Sequence, residues 1–233
     1  MKVVICLIAT RKYKIFIQPL VDSIKKYFLL NHQIEIILFI DDITFSVHGD
    51  ERVTIIKDLI PAYTFPAATL YRYAIMTSRT YECDYIFYLD IDYLLVDTID
   101  EEILGDIVAV LHPGFSVLGG GSWCDDKKSN AYTFPENRKQ YFAGGTQGGE
   151  HEHYYRAMQR MKREIEDDEK RNVKAEWNDE SHWNRALSEM KYFKILDSRY
   201  CCVESMHLRK SWGLGGIKPK ILALDKNHSE IRE

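Results

Sequence analysis

Two carboxylates one residue apart, Asp90 and Asp92, follow the apolar and aromatic run Tyr85-Ile86-Phe87-Tyr88-Leu89. The run is too short for a helix and rich in residues that suit a pleated surface, so it reads as a buried strand. Side chains two apart on an extended chain share a face, so extended geometry through Ile91 lets both acids converge on one ion. Hard oxygen donors suit Mg²⁺ or Mn²⁺, which keep waters and take further ligands from a substrate's phosphates. A nucleotide diphosphate is the natural partner for such a pair. The other reading of the same residues is a strand that ends in two solvated acids.

The elements needed to position this pair follow from periodicity. Residues 3–9 read as a first buried strand, 10–13 as the loop at its carboxyl end, and Leu20, Val21, Ile24, Tyr27 and Phe28 as one face of a helix with Pro19 in its first turn. Strands are expected at 34–40, 53–56 and 107–111, and a helix over 67–82 leads into the Tyr85 strand. The alternation argues for an α/β layer structure with a mostly parallel central sheet, and the length suits one domain.

Residues 116–140 lose all periodicity and read as a long loop of the functional kind. Residues 141–149 hold four glycines, a density that suits a sharply bending backbone or close approach to a ligand. A charged helix is expected over 150–174, with Tyr154, Tyr155, Met158, Met161 and Ile165 on its buried side. A second helix opens near Trp177, for which Asn178 or Asp179 supplies an N-cap, and continues through Trp183, Ala186, Leu187 and Met190. A strand is expected at 193–196, followed by a less regular tail.

Composition narrows the partners. The net charge of −4 comes without a basic block, so there is no electrostatic footprint for nucleic acid. Five cysteines without a C-x-x-C suggest neither a disulfide framework nor a zinc site and fit reduced thiols in a cytoplasmic protein. The apolar run at 3–9 is shorter than a membrane span and precedes charges rather than a cleavage site, so neither a signal peptide nor a membrane anchor is expected.

Taken together, ordered segments along nearly the whole chain resemble the catalytic domain of the blood-group A and B transferases and the α-1,3-galactosyltransferases. These are Ala9 to Phe16 with Tyr13, Arg72, Asp90-Ile91-Asp92, His112-Pro113-Gly114-Phe115, Tyr141-Phe142-Ala143-Gly144-Gly145 with Gly148-Gly149, Trp177-Asn178-Asp179-Glu180-Ser181-His182, and Lys226-Asn227-His228 with Arg232. The resemblance implies a retaining glycosyltransferase of GT-A fold, a single Rossmann-like domain with a mostly parallel central sheet. It divides the chain into a nucleotide-sugar-binding half (1–112), an acceptor-binding and catalytic half (113–225) and a flexible C-terminal lid (226–233).

On the same resemblance, Asp90, Ile91 and Asp92 form the D-x-D segment that holds Mn²⁺, or Mg²⁺, and through it a UDP-sugar. Ala9, Thr10 and Tyr13 surround the uracil, and Arg72 hydrogen-bonds the donor sugar and the aspartates. Lys226 and Arg232 face the diphosphate from a tail that closes over it. Glu180 is the carboxylate on the β-face of the sugar and Asp179 its neighbour; as nucleophile or as ion-pair stabiliser, Glu180 accounts for retention. Without the resemblance, Asp179-Glu180 also reads as the ordinary acidic first turn of a helix. His112, Trp177 and Asn178 stand at acceptor-binding positions for a galactose-type glycan.

Ala143, Gly144 and Gly145 match the donor-selecting triplet, and their small size leans towards UDP-GalNAc over UDP-Gal. Asn178 replaces the family's usual histidine, and Trp123-Cys124-Asp125-Asp126 lacks its usual basic pair, which bears on the acceptor. The alternatives are a UDP-sugar hydrolase with weak acceptor use and a haloacid-dehalogenase-type phosphatase, which also carries a strand-end D-x-D.

Overall fold

The computed structural model describes residues 1–231. Strand β1 (Lys2–Ala9) is buried along almost its full length, as a continuous apolar run in a parallel sheet must be. A 3-10 helix (Arg11–Phe16) leads into α1 (Ile17–Tyr27), whose Ile17, Leu20, Val21 and Ile24 form one buried stripe. Pro19 sits in the first turn, where its missing N–H breaks no intrahelical bond. Strands β2 (Gln33–Ile40) and β3 (Val53–Leu59) follow.

The expected helix over 67–82 is two short helices, α2 (Ala67–Leu70) and α3 (Arg72–Met76), separated at Tyr71 and ending well before residue 82. Tertiary contacts explain the early stop. Thr77 and Ser78 donate their hydroxyls back to the carbonyls of Tyr73 and Ile75, a local alternative to further helix, and the Tyr81 hydroxyl donates to the Met76 carbonyl.

Strand β4 (Tyr85–Leu89) ends before the acids, and β5 (Tyr93–Leu95) starts after them. Between them the Tyr93 N–H donates to the Asp90 carbonyl at 3.1 Å, a turn that replaces the extended geometry expected through Ile91. Ile91 is buried in the core, and that burial turns the chain. Strand β6 (Val108–Leu111) precedes the long loop, which contains only a short 3-10 helix (Pro135–Asn137).

The glycine-dense segment is a buried strand, β7 (Phe142–Glu150), inside the sheet. Its glycines answer close approach by protein rather than flexibility. A Cβ on Gly148 would lie 2.6 Å from the Ile86 carbonyl oxygen and would overlap the Phe87 ring.

Helix α4 (His151–Lys170) is capped by the Glu150 carboxylate, which accepts the His153 N–H, and buries Tyr154, Met158, Met161 and Ile165 as expected. Helix α5 (Asn178–Glu189) begins with Trp177 in the capping position and without a side-chain cap, contrary to the expected Asn178 or Asp179. Asp179 is drawn instead to a buried arginine. Strands β8 (Lys194–Leu196) and β9 (Cys202–Val203), helix α6 (Met206–Ser211), strand β10 (Ile221–Ala223) and helix α7 (His228–Ile231) complete the chain.

The main sheet has the order β3-β2-β1-β4-β7-β6-β8, and β5-β10-β9 form a smaller one. Four of the six pairings in the main sheet are parallel; only β7 runs against its neighbours. Alternate residues of β1 feed two cores. Val3, Ile5 and Leu7 pack with α1 on one face, and Val4, Cys6 and Ile8 pack with α3, α4 and α5 on the other. Strands β1, β2 and β3 step outward in one direction and β4 lies on the other side of β1. The sheet therefore has a switch point between β1 and β4, where a crevice opens beyond the carboxyl ends. All five cysteines are free. Among the described residues no helix is long and apolar enough to cross a membrane.

Candidate active site

The switch point holds a pocket whose walls include Thr10 and Tyr13 after β1, Asp90, Ile91 and Asp92 after β4, Arg72 from α3, and Lys226 and Ile231 from the tail. Each residue is fixed by local chemistry. The Thr10 hydroxyl donates to the Tyr63 carbonyl at 2.7 Å, and the Tyr13 N–H donates to the Thr10 carbonyl at 3.1 Å. Ala9 is wholly buried behind them in the core.

Arg72 is the hub. Only 4% exposed, it reaches Asp90 Oδ1 with Nη2 at 3.1 Å and Asp179 Oδ2 with Nη1 at 2.8 Å. Nη1 also donates to the Gly144 carbonyl, and the guanidinium lies 3.9 Å from the centre of the Tyr88 ring. The Tyr88 hydroxyl donates to the same Asp90 oxygen at 2.8 Å. One planar cation thus ties together two acids that lie far apart in sequence.

Asp179 is 1% exposed, and its contact with Arg72 is an ion pair without the alignment of a hydrogen bond. Burial pushes its carboxyl up to about 7; Arg72 opposes that, and Asp90 and Glu180 add to it. Glu180 is also raised by burial, against the pull of two hydrogen bonds. Its Oε2 accepts the Gly144 N–H at 2.8 Å and its Oε1 accepts the Tyr141 hydroxyl at 2.9 Å. These bonds aim the carboxylate at the rim of β7.

Gly144 and Gly145 bring the two acidic clusters together. A Cβ on Gly144 would meet Glu180, and one on Gly145 would lie 2.5 Å from Asp90 Oδ2. Asp90 and Glu180 therefore stand at adjacent residues of one strand, ninety positions apart in sequence. The space beside Gly145 is taken by Asp90 and the Tyr93 ring, Cζ lying 2.7 Å from that Cβ position, so the small residue there accommodates protein groups. Ala143 is buried in the core.

On the other side of Glu180, Tyr141 is packed edge-on by Trp123 and Phe115, with ring centres 5.1 and 5.3 Å away, and by His112 at 5.8 Å. His112 Nδ1 accepts the Gly114 N–H, and burial pulls its pKa down to about 4, so the ring is neutral. Trp177 is 49% exposed, a side chain open to a ligand rather than spent in the core. Asn178 has φ +50°, and among the described residues its buried amide oxygen has no hydrogen-bond partner.

His182 lies away from this site, between Asp168 at 3.6 Å and Glu164 at 3.9 Å, joining α4 to α5. Arg232 lies outside the described residues. Tyr88, Tyr93 and Tyr141 are not among the expected site residues; Tyr93 follows the D-x-D directly, Tyr88 lies two residues before it and Tyr141 opens the glycine-rich motif, and that proximity is the one signal the sequence offers.

Asp92 forms an ion pair with Lys226, and its carbonyl accepts the Leu224 N–H at 3.0 Å. The Lys226 ammonium lies 5.4 Å from the Tyr13 ring centre, and Lys12 donates to the Glu230 carbonyl at 2.8 Å. The described tail is thereby strapped across the pocket. Among the described residues no three His, Cys, Asp or Glu side chains form a metal cluster. Two carboxylates at the pocket wall, Asp90 held at Oδ1 by Arg72 and Asp92 balanced by the Lys226 ammonium, nevertheless fit a hard divalent cation that completes its shell from phosphate and water.

Comparison with known proteins identifies relatives along most of the chain. The histo-blood group ABO system transferase 1 of Rattus norvegicus is 25% identical over 234 residues, covering 96% of this chain and 66% of that protein. The globoside alpha-1,3-N-acetylgalactosaminyltransferase 1 of Mus musculus is 25% identical over 203 residues, 82% of this chain and 58% of its own length. The Gallus gallus protein of the same name is 28% identical over 159 residues. This chain therefore spans about two thirds or less of these three relatives. The mostly parallel sheet with its crevice is the GT-A architecture, and the family described as Glycosyltransferase family 6 matches residues 1–233, so the chain belongs to that family.

Proposed function

We propose that this protein is a retaining hexosyltransferase that moves GalNAc or Gal from a UDP-sugar, in α-1,3 linkage, to a galactose-type glycan. The observation that carries this reading is the convergence of Asp90 and Glu180 on Gly144 and Gly145 beside the switch-point pocket. In it, the half at 1–112 receives the nucleotide, 113–225 supplies Glu180 and the acceptor wall, and 226–233 covers the phosphates. Family membership leaves no support for the phosphatase alternative.

Thr10 and Tyr13 would border the uracil. Asp90 and Asp92 would hold a Mn²⁺ or Mg²⁺ ion, which when bound supplies charge neutralisation for the departing diphosphate. Lys226, resting on Asp92 in the structure, carries a second positive charge to the same place. Arg72 keeps Asp90 and Asp179 at fixed separation and leaves Asp90 Oδ2 on the Gly145 side. Glu180, locked by the Gly144 N–H and the Tyr141 hydroxyl, would present its carboxylate to the sugar carbon as the bond to UDP weakens. Such pre-alignment removes reorganisation from the reaction step.

The neutral His112 ring and the exposed Trp177 indole suit a sugar acceptor, which needs hydrogen bonds at its rim and apolar contact on its face. Relatives named for N-acetylgalactosaminyl transfer and the small Ala143 favour GalNAc; the filled space beside Gly145 favours the smaller Gal.

The test is a panel of UDP-hexoses incubated with galactose-terminated glycans, with Mn²⁺ or with a chelator. Expected is an α-linked product and UDP release that depend on both acceptor and ion. UDP release that ignores every acceptor would favour the hydrolase alternative, and no use of any UDP-hexose would end the proposal.

A further inference from the structure

Tyr93 heads β5, directly after Asp92, and is 6% exposed. Its phenol reaches back to β7 beside Gly145, so closely that a Cβ there would overlap the hydroxyl. Buried tyrosine hydroxyls normally find a hydrogen-bond partner. The charges of Asp90 and Glu180 lie near this one, no hydrogen bond among the described residues engages it, and the oxygen is not among the fully enclosed unpartnered atoms, so a ligand can reach it.

Three of the four nearby carboxylate oxygens are committed elsewhere, and the fourth, Asp90 Oδ2, shares the Gly145 position with the phenol and is the oxygen the hexosyl-transfer reading reserves for the cation. Asp90 Oδ1 is held by Arg72 and Tyr88, and both oxygens of Glu180 are held by Gly144 and Tyr141. Successive residues of a strand face opposite sides. Gly144 therefore turns its bare face to Glu180, and Gly145 turns its own to Tyr93. A ligand lying across the rim of β7 meets the carboxylate on one side and the phenol on the other.

We propose that Tyr93 is a sugar-binding residue, its hydroxyl hydrogen-bonding a hydroxyl or amide group of the transferred hexose beside Gly145. The assignment rests on the hexosyl-transfer reading. Glycine is required at 145 because the backbone must yield its side-chain volume to this phenol. The contact is to the sugar alone, since the nucleotide half of the donor lies towards Thr10, Tyr13 and Lys226.

The experiment is calorimetric titration of wild type and Tyr93→Phe with UDP, UDP-galactose and UDP-N-acetylgalactosamine, all with Mn²⁺. The variant loses one oxygen and keeps the ring that packs in the core. For the sugar nucleotide that wild type binds more tightly, the ratio of its Kd to that of UDP should rise about fivefold or more, while UDP affinity stays within about twofold. Gly145→Ala, which must push the phenol aside, should raise the same ratio. An unchanged ratio in Tyr93→Phe, or parallel loss of UDP and sugar nucleotide, would overturn the assignment. Failure of wild type to bind UDP at all would instead remove the hexosyl-transfer reading beneath it.

Discussion

Individual residues divide the labour at the pocket, and substitution separates their roles. Glu180 accepts from Gly144 and Tyr141, both on the β7 side of the pocket. Glu180→Gln should therefore lower kcat on the order of 10³-fold while UDP affinity stays within about twofold. Transfer close to the wild-type rate would remove Glu180 from the chemistry. Asp92 touches Lys226 and the pocket, whereas Asp90 also anchors Arg72, so Asp92 is the cleaner probe of the ion. Asp92→Asn should weaken UDP binding about tenfold in the presence of Mn²⁺ and little in chelator. An equal loss in both conditions would show that the ion does not use this carboxylate.

Among the elements, β7 is the one on which the others depend. It runs antiparallel between β4 and β6 and brings Gly144 and Gly145 to Glu180 and Asp90. Its bare positions are matched by bulk from β4, above all Phe87 against Gly148. Gly148→Ala should cost about 1–3 kcal/mol in denaturant melts, because a packed sheet must part to admit one methyl. Gly216, whose Cβ would meet nothing within 4 Å, is the comparison, and Gly216→Ala should stay within about 0.5 kcal/mol. Similar effects at both sites would show that β7 is less tightly packed than described. The break between α2 and α3 matters in the same way, since it sets Arg72 at a helix start facing two carboxylates and a carbonyl at once.

For the molecule as a whole, buried titratable groups tie stability to pH in opposite directions. His112 falls from an ordinary 6.5 to about 4 on folding, because burial disfavours its charged form. Between those values the unfolded chain binds a proton that the folded one refuses, so this group erodes stability as pH falls from about 6.5 to about 4. Asp179 rises from 3.8 to about 7, so across that window the folded chain holds the extra proton and stability is lost as pH rises. The two slopes oppose each other. Relative to His112→Asn, the wild type should therefore lose roughly 3 kcal/mol between pH 7 and pH 4. A stability difference that does not change over this range would show that His112 titrates normally in the folded protein.

Much of this architecture was legible in the residues. The runs around β1, β2 and β4 and the stripes of α1 and α4 carry their own periodicity, since burial of a strand or a helix face is written locally. Ordered motifs likewise pointed to the family. Position in space was not legible. Period two placed Asp90 and Asp92 on one extended face, but the buried Ile91 and the Tyr93-to-Asp90 hydrogen bond make a turn there. Glycine density suggested a bend at what is an inner strand, because the aromatic rings that fill those gaps come from β4 and β5. Sequence alone marked the candidate residues and the elements with strong local periodicity, such as β1, β2, β4, α1 and α4. Only the tertiary structure decided that Arg72 joins Asp90 to Asp179, and that Tyr93 occupies the space a missing side chain had seemed to leave open. Such contacts depend on long-range packing, which no local pattern encodes.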